Sequence, residues 1–294
     1  MNIIMYHYVR PSNKKNGNLR YLDKDHFQVQ LDFFEKNYGF LSQEEFMYNF
    51  KNKIITKKVL LTFDDGLKDH YNYVFPILKE RNIKGVFFIP TSILRDKKIL
   101  NVHKVHYLLS NNNAKLIHER AYELIHEMGI NILTDTNEEA YKNSEHDKYE
   151  LKLKKLFNYK MDYEISDKIT DKLLEYFGLN HDYSSELYMN KKHIEEMFRN
   201  GQIIGSHTNS HKILSSLSFK NQNLEIENSF KYLSSFINEN FKTISYPYGY
   251  KFTYNSNTKR VLEALKVNYA FVFDNKKNIS FNKYEISRID CNKF

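Results

Sequence analysis

Seven short strand-like runs, several of them almost continuous in apolar residues, recur along this chain and constrain its fold more than any other feature. They cover Ile3–Tyr8, Val59–Phe63, Gly85–Ile89, Ile203–Gly205, Thr243–Tyr246, Tyr269–Phe273 and Ile286–Ile289. A strand with one face in water alternates apolar and polar residues. A run that does not alternate buries both faces, as in a parallel sheet covered by helices. Helical patterns fill the gaps between the runs. Ser42-Gln-Glu-Glu45 reads as a capping box. Asn190 reads as the cap of a helix to Arg199, with Gly201 after its end. Ile226, Phe230, Leu233 and Ile237 form a stripe at helical spacing. The expected class is α/β with a parallel sheet.

From about residue 95 to 187 the character changes. Lys, Asn, Glu and Tyr dominate, strand signals are few, and helical patterns such as Ala121–Met128 and Ile169–Phe177 appear. With no internal repeat and no Pro/Gly-rich linker, residues 1–294 are expected to form a single domain carrying a largely helical insertion at about 95–187. Hydrophobic residues at 41% and charged residues at 27% exclude a disordered chain. No apolar run approaches the roughly 18 residues of a spanning helix. The net charge is +8, yet only eight of the 44 basic residues are arginines, and the lysines are scattered. Nucleic-acid binders concentrate such charge on one stripe, so no nucleic-acid partner is expected. Peripheral contact with a membrane or an acidic glycan stays open. The opening Met1–Val9 lacks the features of an export signal and reads as a strand. A single cysteine, Cys291, allows no internal disulfide and reads as inert. Both features point to the cytoplasm.

Three of the apolar runs end abruptly in polar residues. Leu60-Leu-Thr-Phe-Asp-Asp-Gly66 places Asp64 and Asp65 where a strand gives way to a loop, the edge at which parallel α/β folds gather their active sites. Neighbours on an extended segment point apart, so one carboxylate can face substrate while the other faces a metal. An ordinary Asp-Asp-Gly turn is the plainer alternative. Ile203-Ile-Gly-Ser-His-Thr-Asn-Ser-His211 sets His207 and His211 four apart. If a helical turn follows His207, both rings share one face and can hold one ion. Thr243-Ile-Ser-Tyr-Pro-Tyr-Gly249 closes in a turn whose backbone can aim an N–H into a pocket.

Together, Thr62–Gly66, His207-Thr-Asn-Ser-His211 and Pro247–Gly249, in that order, resemble the three motifs of the polysaccharide deacetylase family, which carries the NodB homology domain. The resemblance covers roughly residues 1–95 and 188–290. It implies an irregular (β/α)7-type barrel and a catalytic domain that removes an N-acetyl group from an amino sugar or its glycan, nucleotide or lipid conjugate, in surface-polysaccharide synthesis. It also implies Asp65, His207 and His211 as metal ligands and Asp64 as catalytic base. Such a ligand set suits zinc first, with other divalent transition metals open. Two family features are missing. The arginine that opens the third motif is replaced by Ser245, and no histidine follows His211 to supply the late general acid. Met5-Tyr6-His7 resembles the first strand of the poly-N-acetylglucosamine deacetylases, which makes His7 the expected acid. Arg288 is the expected charge partner of Asp64, and the Tyr248 N–H the expected oxyanion donor. Two alternatives stand beside this reading: a hydrolase of small non-sugar amides on the same fold, and a non-catalytic carbohydrate-binding relative.

Overall fold

The computed structural model describes residues 1–13, 17–132, 147–179, 183–237 and 241–294. Residues 133–146 and 180–182 of the expected insertion lie outside that set. The described residues fall into two compact units. One comprises Met1–Ser12, Tyr21–Lys97 and Ser185–Phe294; the other comprises Asn13–Arg20 and Lys98–Ser184.

The first unit holds a seven-stranded parallel sheet. Its strands are β1 (Asn2–Tyr6), β2 (Val59–Phe63), β3 (Gly85–Ile89), β4 (Ile203–Ser206), β5 (Thr243–Ser245), β6 (Tyr269–Phe271) and β7 (Ile289–Asp290). They lie in the order β6-β5-β4-β3-β2-β1-β7, the expected (β/α)7-type barrel. Every residue of β1, β2 and β3 is buried, which explains why these runs do not alternate. On one face Ile3, Leu60, Val86, Phe88 and Ile203 pack with Phe46, Phe50 and Phe271. On the other, Tyr6, Phe63 and Phe87 stack in a row across three strands, with ring centroids 5.1 and 4.6 Å apart. Phe27, from the helix Lys24–Asn37, meets Tyr6 edge-on at 5.3 Å. Burying each such ring contributes about 1.5–3 kcal/mol. The row anchors the strand ends just below the polar residues that follow them.

The last strand departs from expectation. The run Ile286–Ile289 splits between two partners: Ile286 bridges to Phe271 of β6, while β7 pairs with β1. The segment thereby ties the two ends of the sheet together, and Arg288 falls between the two attachment points. Smaller differences affect the other ends. β1 stops at Tyr6, β5 at Ser245 and β6 at Phe271, while β4 runs on to Ser206. The Ser42 and Asn190 capping boxes both form. Ile237 is buried but lies beyond the end of the helix Phe219–Leu233.

The second unit is helical: Asn101–Asn111, Ala114–Glu127, Lys148–Lys155 and Tyr163–Tyr176 are its α-helices among the described residues. Asn113, Asp147 and Asp162 each accept backbone N–H bonds at a helix start. Leu108, Ile117, Leu124, Leu153, Phe157, Ile169 and Leu173 belong to a core of its own. No helix among the described residues is long and apolar enough to cross a membrane.

Gly205 in β4 shows how tightly the sheet is covered. A Cβ there would lie 2.6 Å from Phe88 Cδ1 and 2.9 Å from Thr243 Cγ2. Gly205→Ala is therefore expected to lower unfolding free energy by about 1–3 kcal/mol. A urea denaturation midpoint equal to the parent's would contradict that.

Candidate metal centre

The polar residues that follow β1, β2, β4 and β5 meet at one end of the sheet. Asp64 and Asp65 follow β2 directly, but the chain turns at Asp65 instead of staying extended, and the turn sends the two carboxylates apart. Asp65 takes a positive φ of 76° and turns toward the histidines. His207 Nε2 and His211 Nε2 each lie 3.4 Å from Asp65 Oδ1. All three residues are buried.

The helical turn that would have put both rings on one face is not what joins the two histidines. Thr208 and His211 both adopt positive φ, 63° and 59°, within an irregular loop. Side chains hold that loop. Ser206 Oγ accepts the Thr208 N–H at 3.0 Å, and Thr208 Oγ1 accepts the His211 N–H at 3.1 Å. Glu225, on the helix Phe219–Leu233, accepts the N–H groups of Asn209 and Ser210 at 3.2 and 2.8 Å. Tyr248 and Gly249 also have positive φ, 62° and 69°. A Cβ on Gly249 would stand 2.7 Å from Phe273 N, so only glycine fits there. Of the nine non-glycine residues with positive φ among the described residues, four (Asp65, Thr208, His211 and Tyr248) lie in the three motifs, so backbone strain gathers where the chemistry does.

The donor set fits a metal ion. Ligand atoms of Asp65, His207 and His211 all lie within 4.8 Å of one another. A tetrahedral ion with ligands at about 2.0–2.2 Å sets them about 3.3–3.6 Å apart, and both Nε2–Oδ1 distances are 3.4 Å. His207 Nδ1–H donates to the Ser245 carbonyl at 2.8 Å, which leaves the Nε2 lone pair facing Asp65. Burial opposes a charged His207 ring, but Asp64 and Asp65 outweigh it and raise its pKa. The surroundings favour positive charge at this point, as a cation site should.

Asp64 faces the other way. Arg288 Nη1 and Nη2 donate to its two oxygens at 2.7 and 2.8 Å, and Ser245 Oγ donates to Oδ2 at 3.2 Å. Arg288 is 1% exposed and also donates to Ser245 Oγ at 2.7 Å and to the Val272 carbonyl at 3.2 Å. Burial alone would raise the Asp64 carboxyl; the Arg288 guanidinium, together with His207 and His7, outweighs it and holds the pKa below the usual range. Ser245 stands where the family motif opens with arginine, and a guanidinium from the far end of the chain reaches the same carboxylate. His7 follows β1 at the rim, with a side chain 41% exposed and Nε2 3.9 Å from Asp65 Oδ2. The Tyr248 ring lies edge-on to His211, centroids 4.9 Å apart. Glu225 escaped the sequence reading because nothing local marks a helix-face glutamate as the anchor of a distant loop.

The polysaccharide deacetylase family model matches residues 51–163 and 169–270, well over half of the chain. The chain belongs to the polysaccharide deacetylase family. Membership assigns it to the carbohydrate-deacetylating hydrolases. His7 and Arg288 lie outside the matched residues. YxkH of Bacillus subtilis (strain 168), designated a polysaccharide deacetylase, is 32% identical over 90 residues, which span 30% of this chain and 30% of that protein. Among solved structures, the Streptococcus pyogenes deacetylase PplD in complex with acetate aligns over 99% of this chain and 91% of its own, with 22% identity and a TM-score of 0.60. A de-N-acetylase from Aggregatibacter actinomycetemcomitans aligns over 98% and 93%, with 15% identity and a TM-score of 0.59. At such identities these two establish the shared fold alone.

Removing one partner from a buried ion pair strands the other charge. Arg288→Met is expected to destabilise the protein by about 3–5 kcal/mol. Adding Asp64→Asn should recover part of the loss. Equal urea midpoints for the parent and the Arg288→Met variant would contradict the pairing.

Proposed function

We propose that the protein is a metal-dependent N-deacetylase of an amino sugar or its conjugate, in which Asp65, His207 and His211 hold one divalent ion, zinc by first preference. The observation that carries this reading is the convergence of those three ligand atoms at the strand ends. When bound, the ion supplies Lewis acidity that polarises the acetamide carbonyl and acidifies a water. The protein's residues do the rest. Asp64, kept ionised by Arg288, accepts a proton from the attacking water. The guanidinium and Ser245 Oγ supply three hydrogen bonds to a carboxylate with about four lone-pair sites, so one site stays available. The Tyr248 N–H donates to the carbonyl oxygen as charge builds on it. Protonated His7 gives its proton to the amide nitrogen as the C–N bond breaks, because an unprotonated amine is a very poor leaving group. The products are acetate and the free amino sugar.

The non-catalytic alternative rests on two absences, the third-motif arginine and the late histidine. Arg288 beside Asp64 answers the first, and His7 at the rim, 3.9 Å from Asp65, supports an acid in place of the second.

Acetate release from N-acetylglucosamine oligomers and N-acetylated nucleotide sugars tests the reading. Release should stop on chelation and return with added zinc. Chelator-insensitive turnover, or ring opening of cyclic ureides in place of acetate release, would overturn it.

A further inference from the structure

The turn after the Asp-Asp-Gly motif carries a buried histidine that the mechanism leaves unused. His70 opens a π-helical turn, His70–Val74, and is fully buried. Such turns are frequent at functional sites. Its Nε2–H donates to the His7 carbonyl at 2.8 Å, and its ring lies beside Phe63 and Phe87, centroids 5.5 and 5.8 Å away. The other ring nitrogen, Nδ1, is buried and has no hydrogen-bond partner among the described residues. A phenyl ring would pack between those aromatics without that defect, so the imidazole's distinctive contribution is the bond to His7. Burial also pushes its pKa down to about 4, which keeps the ring neutral.

The preceding residue grips the same segment. Asp69 accepts from Arg10 Nε at 2.8 Å and from Nη2 at 3.1 Å. Val9 and Arg10 pair in a short parallel ladder with Leu22 and Asp23. On the near side, Tyr6 OH donates to Gln30 Oε1 at 2.9 Å. His7 itself is the partly exposed residue between these anchors. Its ring is held near Asp65 mainly by where its backbone is pinned.

We propose that Asp69 and His70 are positioning residues that fix the His7 backbone, and through it the ring that delivers the proton to the leaving amine. The proposal rests on the reading of His7 as general acid. Its signature is selectivity for the leaving group. Amide cleavage needs a proton on nitrogen, whereas an aryl acetate expels a phenolate that needs none. A merely structural role would slow both reactions together.

The experiment compares kcat on an N-acetylglucosamine oligomer with kcat on an aryl acetate, in the zinc-loaded protein, for His7→Ala, His70→Phe, His70→Gln and Asp69→Asn. His7→Ala should lower the amide-to-ester ratio by about 10²–10⁴-fold. His70→Phe should lower it by about 10–100-fold, through kcat more than KM, as expected when the acid is misplaced rather than removed. His70→Gln, whose amide N–H can reach the same carbonyl, should restore most of the ratio. Asp69→Asn should lower it if His70→Phe does not fold. Equal loss on both substrates, or an unchanged ratio in the folded variants, overturns the proposal. If His7→Ala itself leaves the ratio unchanged, it is the reading of His7 that fails. A metal-free crystal structure of the His70→Phe variant gives a readout independent of turnover. His7 should leave its place beside Asp65, and an unmoved ring would contradict the clamp.

Discussion

Two carboxylates on adjacent residues, both buried, repel each other and lose the water that would screen them. Each needs its own countercharge, because an unpaired buried carboxylate would cost several kcal/mol or pick up a proton. Asp64 obtains its countercharge from Arg288 through two short, parallel hydrogen bonds. Asp65 turns away and faces two imidazoles, an arrangement that a cation completes. The turn at the end of β2 keeps these two solutions separate, and the positive φ of Asp65 aims the second carboxylate.

That division of labour depends on the closing segment of the chain. Ile286 joins β6 and Ile289–Asp290 joins β1, so the residue between them must sit against the middle of the barrel end. Arg288 occupies that place with its guanidinium on Asp64. The same closure is fastened by Gln30, whose side chain donates to the carbonyls of Cys291 and Phe294 and accepts from Tyr6. The sheet's closure and the charge state of the proposed catalytic base are thus one structural problem with one solution. A serine at position 245 leaves room for the guanidinium and supplies it with a further acceptor.

The parts of this arrangement legible in the sequence are those whose signal is local. Asp64, Asp65, His207 and His211 each follow an apolar run at a strand end, and continuous burial on both faces made those runs visible. Arg288 could be named as a partner for Asp64, but the split of its strand between two neighbours could not, because pairing is a property of distant segments. Whether a helical turn follows His207 could not be read for a related reason. The loop's path is set by Glu225, Ser206 and Thr208 accepting its backbone N–H groups, and these bonds hold Thr208 and His211 in left-handed conformations that helical spacing does not anticipate. Asp69 and His70 carry no local signal of a role. Their partners, Arg10 and the His7 carbonyl, lie some sixty residues away.

Metal occupancy at this triad is what the chemical account depends on most. The direct measurement is a crystal structure of the zinc-loaded protein with anomalous diffraction collected at the zinc edge. The account predicts a single strong peak within about 2.0–2.2 Å of an Asp65 carboxylate oxygen and the Nε2 atoms of His207 and His211, with Asp64 still paired to Arg288. A peak coordinated by Asp64, or none at the triad under saturating zinc, would contradict it.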